Sequence, residues 1–397
     1  MRPAGWPTVG AGWEVAMLQD AAGGRAEREP LHRLVVKIGS STLAEASGLL
    51  NRAAIARLTD QVAALHAAGW DVVLVSSAAV AAGKSCLGDL RHRRDIPAKQ
   101  MLAAIGQPRL MRAYDEAFAR HGIIVAQALL TRHDLAERQG YLNARSTLLG
   151  LLHYRVVPII NENDVVATHE LRFGDNDNLS AVVANLVDAD LLLLLTDIDG
   201  LYTADPRVDP SARLIPEVSR IDAGIERLAG GTHPRTHGTG GMVTKLQAAR
   251  TALRSGVTVV IANGGADRVI ERVAQGEAIG TRFLPERPRR ATAREAWLNT
   301  AIAAKGTLTV DDGAARVLRE EGRSLLPAGV RAISGRFGRG DPVEVRDLAG
   351  NRLAYGLVNY SSADLARIIG LHSSAIEATL GYYYGDEVMH RNNLVLL

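Results

Sequence analysis

From Leu31 to about Pro285, short apolar runs alternate with segments whose apolar positions recur three or four residues apart. This alternation predicts a layered α/β domain with strands over Leu34–Ile38, Asp71–Ser76, Ile123–Leu129, Val156–Asn161, Leu191–Thr196 and Val257–Ala262. Most of these runs are continuously apolar, as strands covered on both faces are. Between them, Asn51–Ala68 reads as a helix. Asn51 caps it, Ile55, Leu58, Val62 and Leu65 form its apolar stripe, and Gly69 ends it. Asn178 is the expected cap of a second helix over Leu179–Val187. Pro97 and Pro108 are each expected to open a helix, with Gly106 separating the two. The segment 286–304 holds Pro288 and the arginines Arg287, Arg289, Arg290 and Arg294, and reads as an inter-domain linker. Beyond it, strand-like pieces at Gly329–Ser334, Pro342–Arg346 and Leu353–Tyr360, with turn signals at Asp341-Pro342 and Gly350-Asn351, predict a small β-rich domain over 305–397 with a helix on either side.

A chain of 397 residues with 47% hydrophobic and 22% charged residues suits two globular domains. The longest apolar run, Leu179–Leu195, is broken by Asn185, Asp188 and Asp190, which argues against a membrane span. Residues 1–30 mix Gly, Pro, Ala and charges without a basic-then-apolar order. They are expected to be a disordered extension, with Met17 as an alternative start. The lone cysteine, Cys86, excludes an internal disulfide and a cysteine-rich zinc site, and fits a cytoplasmic protein. His233 and His237 have ligand-like spacing, but Pro234 and the nearby glycines make that stretch a loop, so no metal site is expected there. A net charge of +3 implies no polyanionic partner.

Five clusters carry candidate chemistry. The first strand runs Val35-Val36-Lys37-Ile38-Gly39-Ser40-Ser41, with a lysine among core residues that either snorkels to water or meets a phosphate beside Gly39. Gly238-Thr239-Gly240-Gly241-Met242-Val243-Thr244-Lys245 leads into a helix over Leu246–Ser255 and is either a surface loop or an anion site. Thr244 and Leu246 flank the lysine in the wrong way for a Walker loop. Asn161-Glu162-Asn163-Asp164 follows one strand, and Gly174-Asp175-Asn176-Asp177-Asn178 precedes a helix; each is either a turn or a set of groups for a substrate ammonium, a lysine or a metal-bound nucleotide. The fifth cluster is the polar tail from Thr196-Asp197 to Pro206-Arg207, which leaves a buried strand where α/β sheets bind ligands. No G-x-G-x-x-G follows the first strand, so a dinucleotide fold loses its support.

In this order the five clusters resemble the amino acid kinase family, and within it the branch that acts on the γ-carboxylate of L-glutamate. Leu325-Leu326-Pro327, Gly335-Arg336-Phe337, Gly340-Asp341, Ala354-Tyr355-Gly356 and Tyr360-Ser361-Ser362 resemble a PUA domain, which bacterial members of that branch carry after the kinase domain. The resemblance implies a three-layer αβα sandwich with a mainly parallel sheet over 31–285. It implies that Lys37 and Lys245 contact the transferring phosphoryl group and that Asp177 organises them. Ser77, Asp164 and Asn176 would hold glutamate, with Asp164 at its ammonium. ATP with Mg²⁺ would lie against Lys37, Thr196, Asp197, Thr239, Gly240, Gly241, Met242, Val243, Thr244 and Lys245. The product would be an acyl phosphate leading towards proline, with proline as feedback inhibitor and a homo-oligomer as the inherited expectation. The family usually reads Ser-Gly-Ala where this chain has Ser77-Ala78-Ala79. If that glycine serves a positive φ, Ala78 is strained.

A carboxylate nucleophile ionises near pH 4.3 and needs no general base, so the task of such a site is electrostatic. The rival readings are a kinase of the same family with another acceptor, and an RNA-binding PUA protein with a degenerate kinase domain. The C-terminal segment from Lys305 carries eleven Lys/Arg against eleven Asp/Glu, without the basic surplus that RNA binding uses.

Overall fold

The computed structural model describes residues 32–45, 47–87, 96–167, 176–229, 241–285, 304–321 and 323–396. The expected N-terminal extension, the His233/His237 pair and all but the last residue of the expected linker lie outside the described residues.

The first sheet is built from β1 (Arg33–Ile38), β2 (Asp71–Ser76), β3 (Val125–Leu130), β4 (Val157–Glu162), β5 (Leu191–Thr196), β6 (Glu217–Val218), β7 (Thr258–Asn263) and β8 (Thr281–Phe283). Its order is β3-β4-β2-β1-β5-β7-β8-β6, and every pairing is parallel except β7 with β8. The expected strands are present, shifted by at most two residues at their starts. The pairs β6 and β8, too short for a pattern to mark, extend the sheet beyond them. Strand order reverses at β1, with β2 on one side and β5 on the other. The carboxyl ends of these strands are therefore the place where open α/β sheets take their ligands.

Helices cover both faces of this sheet. Along β1, Leu34, Val36 and Ile38 point into one core, which is closed by α2 (Arg52–Ala67), α3 (Ala79–Leu87) and α4 (Ile96–Ala119) after the short α1 (Ser40–Leu43). Val35 points into the other core, closed by α5 (Arg132–Ala136), α6 (Arg138–His153), α7 (Asn176–Leu186), α8 (Ala223–Ala229) and α9 (Met242–Arg254). Near the chain's far end of this sheet, α10 (Val269–Ala274) returns to the first core. The result is a three-layer αβα sandwich.

Local sequence accounts for several helix ends and misreads others. Asn51 caps α2 by accepting from Ala54 N–H at 2.9 Å, and Gly69 follows with φ +91°. Asn178 is not a cap: α7 begins at Asn176, so Asn178 lies in its first turn. The glycine-rich stretch also gives way to helix sooner than expected, because α9 starts at Met242 with Gly241 as its N-cap. Nor do Pro97 and Pro108 open two helices; α4 runs unbroken through Pro108. Proline removes one backbone N–H and costs about 3 kcal/mol in a helix interior. Ala103, Gln107, Leu110 and Tyr114 keep one face of α4 buried across the defect, and the Arg109 guanidinium donates to Ile105 O at 2.8 Å.

A second sheet, in the order β10-β9-β11-β12-β13, comprises β9 (Gly306–Val310), β10 (Val330–Gly335), β11 (Pro342–Arg346), β12 (Arg352–Leu357) and β13 (Leu394–Leu396). Its core gathers Leu308, Val310, Val343, Val345 and Ala354 with Ala315 and Leu318 of α11 (Asp312–Glu321), Leu365 and Ile368 of α12 (Ser362–Ile368) and Ile376 of α13 (Ile376–Leu380). This is the β-rich module with helices before and after its middle strands that the turn signals predict.

The tightest packing lies where β2 turns into α3. Ala78 occupies this turn with φ +77°, a left-handed conformation that costs an L-residue roughly 1–2 kcal/mol. Ala78 therefore carries the strain that the glycine expected at this position would relieve. Against the same turn lies Gly106 of α4, where a Cβ would stand 1.8 Å from Ala79 O and 2.4 Å from Gly83 N. We expect Ala78→Gly to raise unfolding stability by about 1 kcal/mol, measured as a higher urea midpoint at unchanged slope. Gly106→Ala is expected to cost about 3 kcal/mol in the same assay, because backbone has to move to admit the methyl group.

Candidate active site

Side chains alternate along a strand, so Lys37 shares the face of Val35 and points toward the layer of α7 and α9. It sits mid-sheet, opposite Val75 on β2 and Leu194 on β5. Asp177, in the first turn of α7, meets it there: Lys37 Nζ lies 2.6 Å from Asp177 Oδ1. The fourth residue of α9 approaches from the other side, with Lys245 Nζ 3.1 Å from Asp177 Oδ2. Thr244 Oγ1 donates to the same Oδ2 at 2.8 Å. The two lysines, more than two hundred positions apart in sequence, are thereby joined through one carboxylate. All three are buried, with exposures of 3% for Lys37, 4% for Lys245 and 0% for Asp177.

Burying ions costs several kcal/mol each, and their mutual attraction offsets that only with good geometry. Asp177 has it, because both oxygens are engaged by ammonium groups and it stands at a helix N-terminus, where negative charge is favoured. The trio carries two formal positive charges and one negative. Two buried ammonium groups brought together at the start of a helix are groups that can meet an anion.

Beside the trio lies a chain of amides. Asn176, the residue before Asp177, donates through Nδ2 to Ser77 Oγ at 2.9 Å, to Asn161 Oδ1 at 3.0 Å and to Ser76 O at 3.2 Å. Asn161 Oδ1 also accepts from Glu162 N–H at 2.9 Å, and Asn161 Nδ2 donates to Gln107 Oε1 at 2.9 Å. Ser76 Oγ and the Tyr114 hydroxyl are 2.9 Å apart; burial pushes the Tyr114 phenol well above its ordinary pKa. The expected acceptor residues Ser77 and Asn176 are thus brought together. Asp164 lies half-buried on the turn that leaves β4, three residues after Asn161.

Thr196 ends β5, next to the end of β1, Asp197 follows it, and Thr196 Oγ1 donates to Asp197 Oδ1 at 3.1 Å. Gly39, which follows β1, lies against the site: a Cβ there would make ordinary contacts at 3.5 Å from Lys37 Nζ and 3.6 Å from Leu195 O. Of the expected nucleotide residues, Thr239 and Gly240 lie outside the described residues, Gly241 to Thr244 form the start of α9, and Val243 is exposed. The sequence places Asn161 in a candidate cluster without assigning it a role, and gives Gln107 no place among the candidates. The signal for Gln107 was an amide on the apolar stripe of α4, four residues after Ala103 and seven before Tyr114. Among the described residues no cluster of three or more His, Cys, Asp or Glu side chains forms a metal site, and no helix is long and apolar enough to cross a membrane.

Comparison with known proteins agrees with this architecture. The amino acid kinase family matches residues 32–263, and the PUA domain matches residues 306–380. The glutamate 5-kinase of Dehalococcoides mccartyi strain CBDB1 is 51% identical over 368 residues, covering 92% of this chain and 98% of that protein. The glutamate 5-kinases of Pelobacter propionicus and Pseudomonas paraeruginosa are each 50% identical, over 367 and 365 residues, again covering 92% of this chain and 98% of theirs. With the amino acid kinase model matched over 32–263, the PUA model over 306–380 and about half of the aligned residues shared with these relatives over 92% of its length, the chain belongs to the glutamate 5-kinase family of PUA-bearing amino acid kinases.

Proposed function

We propose that this protein transfers the γ-phosphoryl group of ATP to the side-chain carboxylate of L-glutamate, forming L-glutamate 5-phosphate as the first step of proline biosynthesis. The observation that carries this reading is the buried Lys37–Asp177–Lys245 trio, in a chain about half identical to glutamate 5-kinases over nearly their whole length. Two anions have to meet in this reaction, and the nucleophile is ionised already at neutral pH, with a pKa near 4.3. What remains is to neutralise charge on the phosphoryl oxygens as it spreads and to hold donor and acceptor in line. Lys37 and Lys245 would supply the fixed charge, and Asp177 would hold the two ammonium groups at one spacing so that neither turns away before the phosphate arrives. Ser77, Asn176 and Asp164 would bind glutamate, with Asp164 at its ammonium. Thr196, Asp197 and the stretch from Thr239 to Lys245 would line the nucleotide.

Mg²⁺ fits as part of the nucleotide substrate, since it binds mainly through phosphate oxygens and water and needs only one or two carboxylates. When bound it would add positive charge at the phosphates. Asp177 is already shared by two lysines, so it serves to orient them. We further assign the kinase domain to 31–285, the linker to 286–304 and the PUA domain to 305–397, with proline as feedback inhibitor, a homo-oligomeric assembly and a cytoplasmic setting consistent with a lone cysteine.

Acyl phosphate trapped with hydroxylamine distinguishes the acceptors. The purified protein with ATP and Mg²⁺ is expected to yield hydroxamate with L-glutamate and little with aspartate or N-acetylglutamate; a preference for either of the latter overturns the reading. Lys37→Ala and Lys245→Ala are each expected to lower kcat by on the order of 100-fold or more while circular dichroism stays native. Near-normal turnover in both would remove the lysines from the chemistry.

A further inference from the structure

The amide chain beside the trio has two unmet ends. Asn176 Oδ1 and Gln107 Nε2 are buried and have no hydrogen-bond partner among the described residues. An unmet buried polar group costs about 1–3 kcal/mol, and Gln107 is only 9% exposed, so its orientation is not chosen for its own benefit. Backbone groups dictate it. Glu162 N–H can only donate, so Asn161 has to face it with oxygen; Ser76 C=O can only accept, so Asn176 has to face it with its NH2. Asn161 is then left with an NH2 group that requires an acceptor inside the core. Gln107 supplies one by presenting Oε1, and its own NH2 goes unmet as a result. All three amides line up head to tail, an arrangement in which each bond polarises the next.

Resting on the functional reading above, we propose that Gln107 is a positioning residue for the amino-acid acceptor: by accepting from the Asn161 amide it holds in place the orientation that the backbone selects, so that Asn176 keeps its free oxygen toward the ammonium group of glutamate. The helix geometry agrees with this role. Gly106 lets α4 press directly onto the Ala79 carbonyl, and the next residue is thereby carried within reach of the end of β4. An oxygen held in place, rather than one that can turn away, discriminates sharply between molecules that have and lack a donor.

Glutarate, which has both carboxylates of glutamate and no ammonium group, is the probe. Its inhibition constant is compared with the KM for glutamate in the wild type, in Gln107→Met, whose thioether is a weak acceptor, in Gln107→Ser, whose hydroxyl is too short to reach Asn161, and in Gln107→Glu. A buried neutral glutamic acid has the shape of glutamine and still offers an oxygen. We expect Met and Ser to raise the glutamate KM about tenfold or more. The KM for ATP and the inhibition constant of glutarate should stay within about twofold, and Gln107→Glu should keep most of the preference. Parallel loss toward glutamate and glutarate, or no change in folded Met and Ser variants, overturns the inference. If neither of those folds, a folded Gln107→Glu enzyme that has lost its preference for glutamate overturns it, and one that retains it supports it. A wild-type enzyme that makes no acyl phosphate from glutamate removes the functional reading and this inference together, whereas activity with unmoved selectivity removes this inference alone.

Discussion

The site depends on a parity. Lys37 stands an even number of residues from Val35, so it leaves the sheet on the face covered by α7 and α9 and not on the face covered by α2 and α4. A slip of one residue in the pairing of β1 with β2 and β5 would turn the ammonium toward the apolar core of Leu58, Val62 and Leu110 and away from Asp177. The continuous apolar character of β1 does not by itself forbid that slip, since both faces are apolar. Lys37 does. The charge that serves the site also selects the register of the central strand, because only one register gives it Asp177.

Part of the cost of folding gathers around the site. Asp177 and two lysines are desolvated, Ala78 is held at positive φ, α4 tolerates Pro108, and Gln107 Nε2 and Asn176 Oδ1 have no hydrogen-bond partner among the described residues. Along β5 the cores are plain packed aliphatics, with Leu192, Leu193, Leu194 and Leu195 fully buried. Concentrated cost of this kind is what a preorganised electrostatic site requires: the groups have to be fixed before the substrate arrives, so folding bears the work of fixing them.

Much of this was legible in the chain. Continuous apolar runs located the central parallel strands, because a strand buried on both faces has few polar positions to confuse its limits, whereas the half-buried edge strand β3 starts two residues later than its apolar run. Asn51 and Gly69 marked the ends of α2 because capping chemistry is local. The errors share a different cause. Pro108 and Gly106 look like helix breaks, yet tertiary burial of Ala103, Leu110 and Tyr114 carries α4 through them. Asn178 looks like a cap, yet Asn176 is already helical because Asp177 is held from two sides by lysines of other elements. Propensity speaks for single turns, and packing overrules it.

The same division runs through the site. Lys37, Asp177, Lys245, Ser77 and Asn176 lie at strand ends and helix starts, inside short motifs whose glycine and polar content marks them out from their surroundings. Gln107 has no such setting. It sits in the middle of a long helix, between a glycine and a proline, and its importance comes from a partner on β4 that no spacing rule connects to it. Groups that touch a substrate have to cluster where loops open, so the chain advertises them. Groups that orient those groups work from behind, inside regular structure, and reveal themselves only once the hydrogen bonds of the core are followed donor by donor to an atom left without an answer.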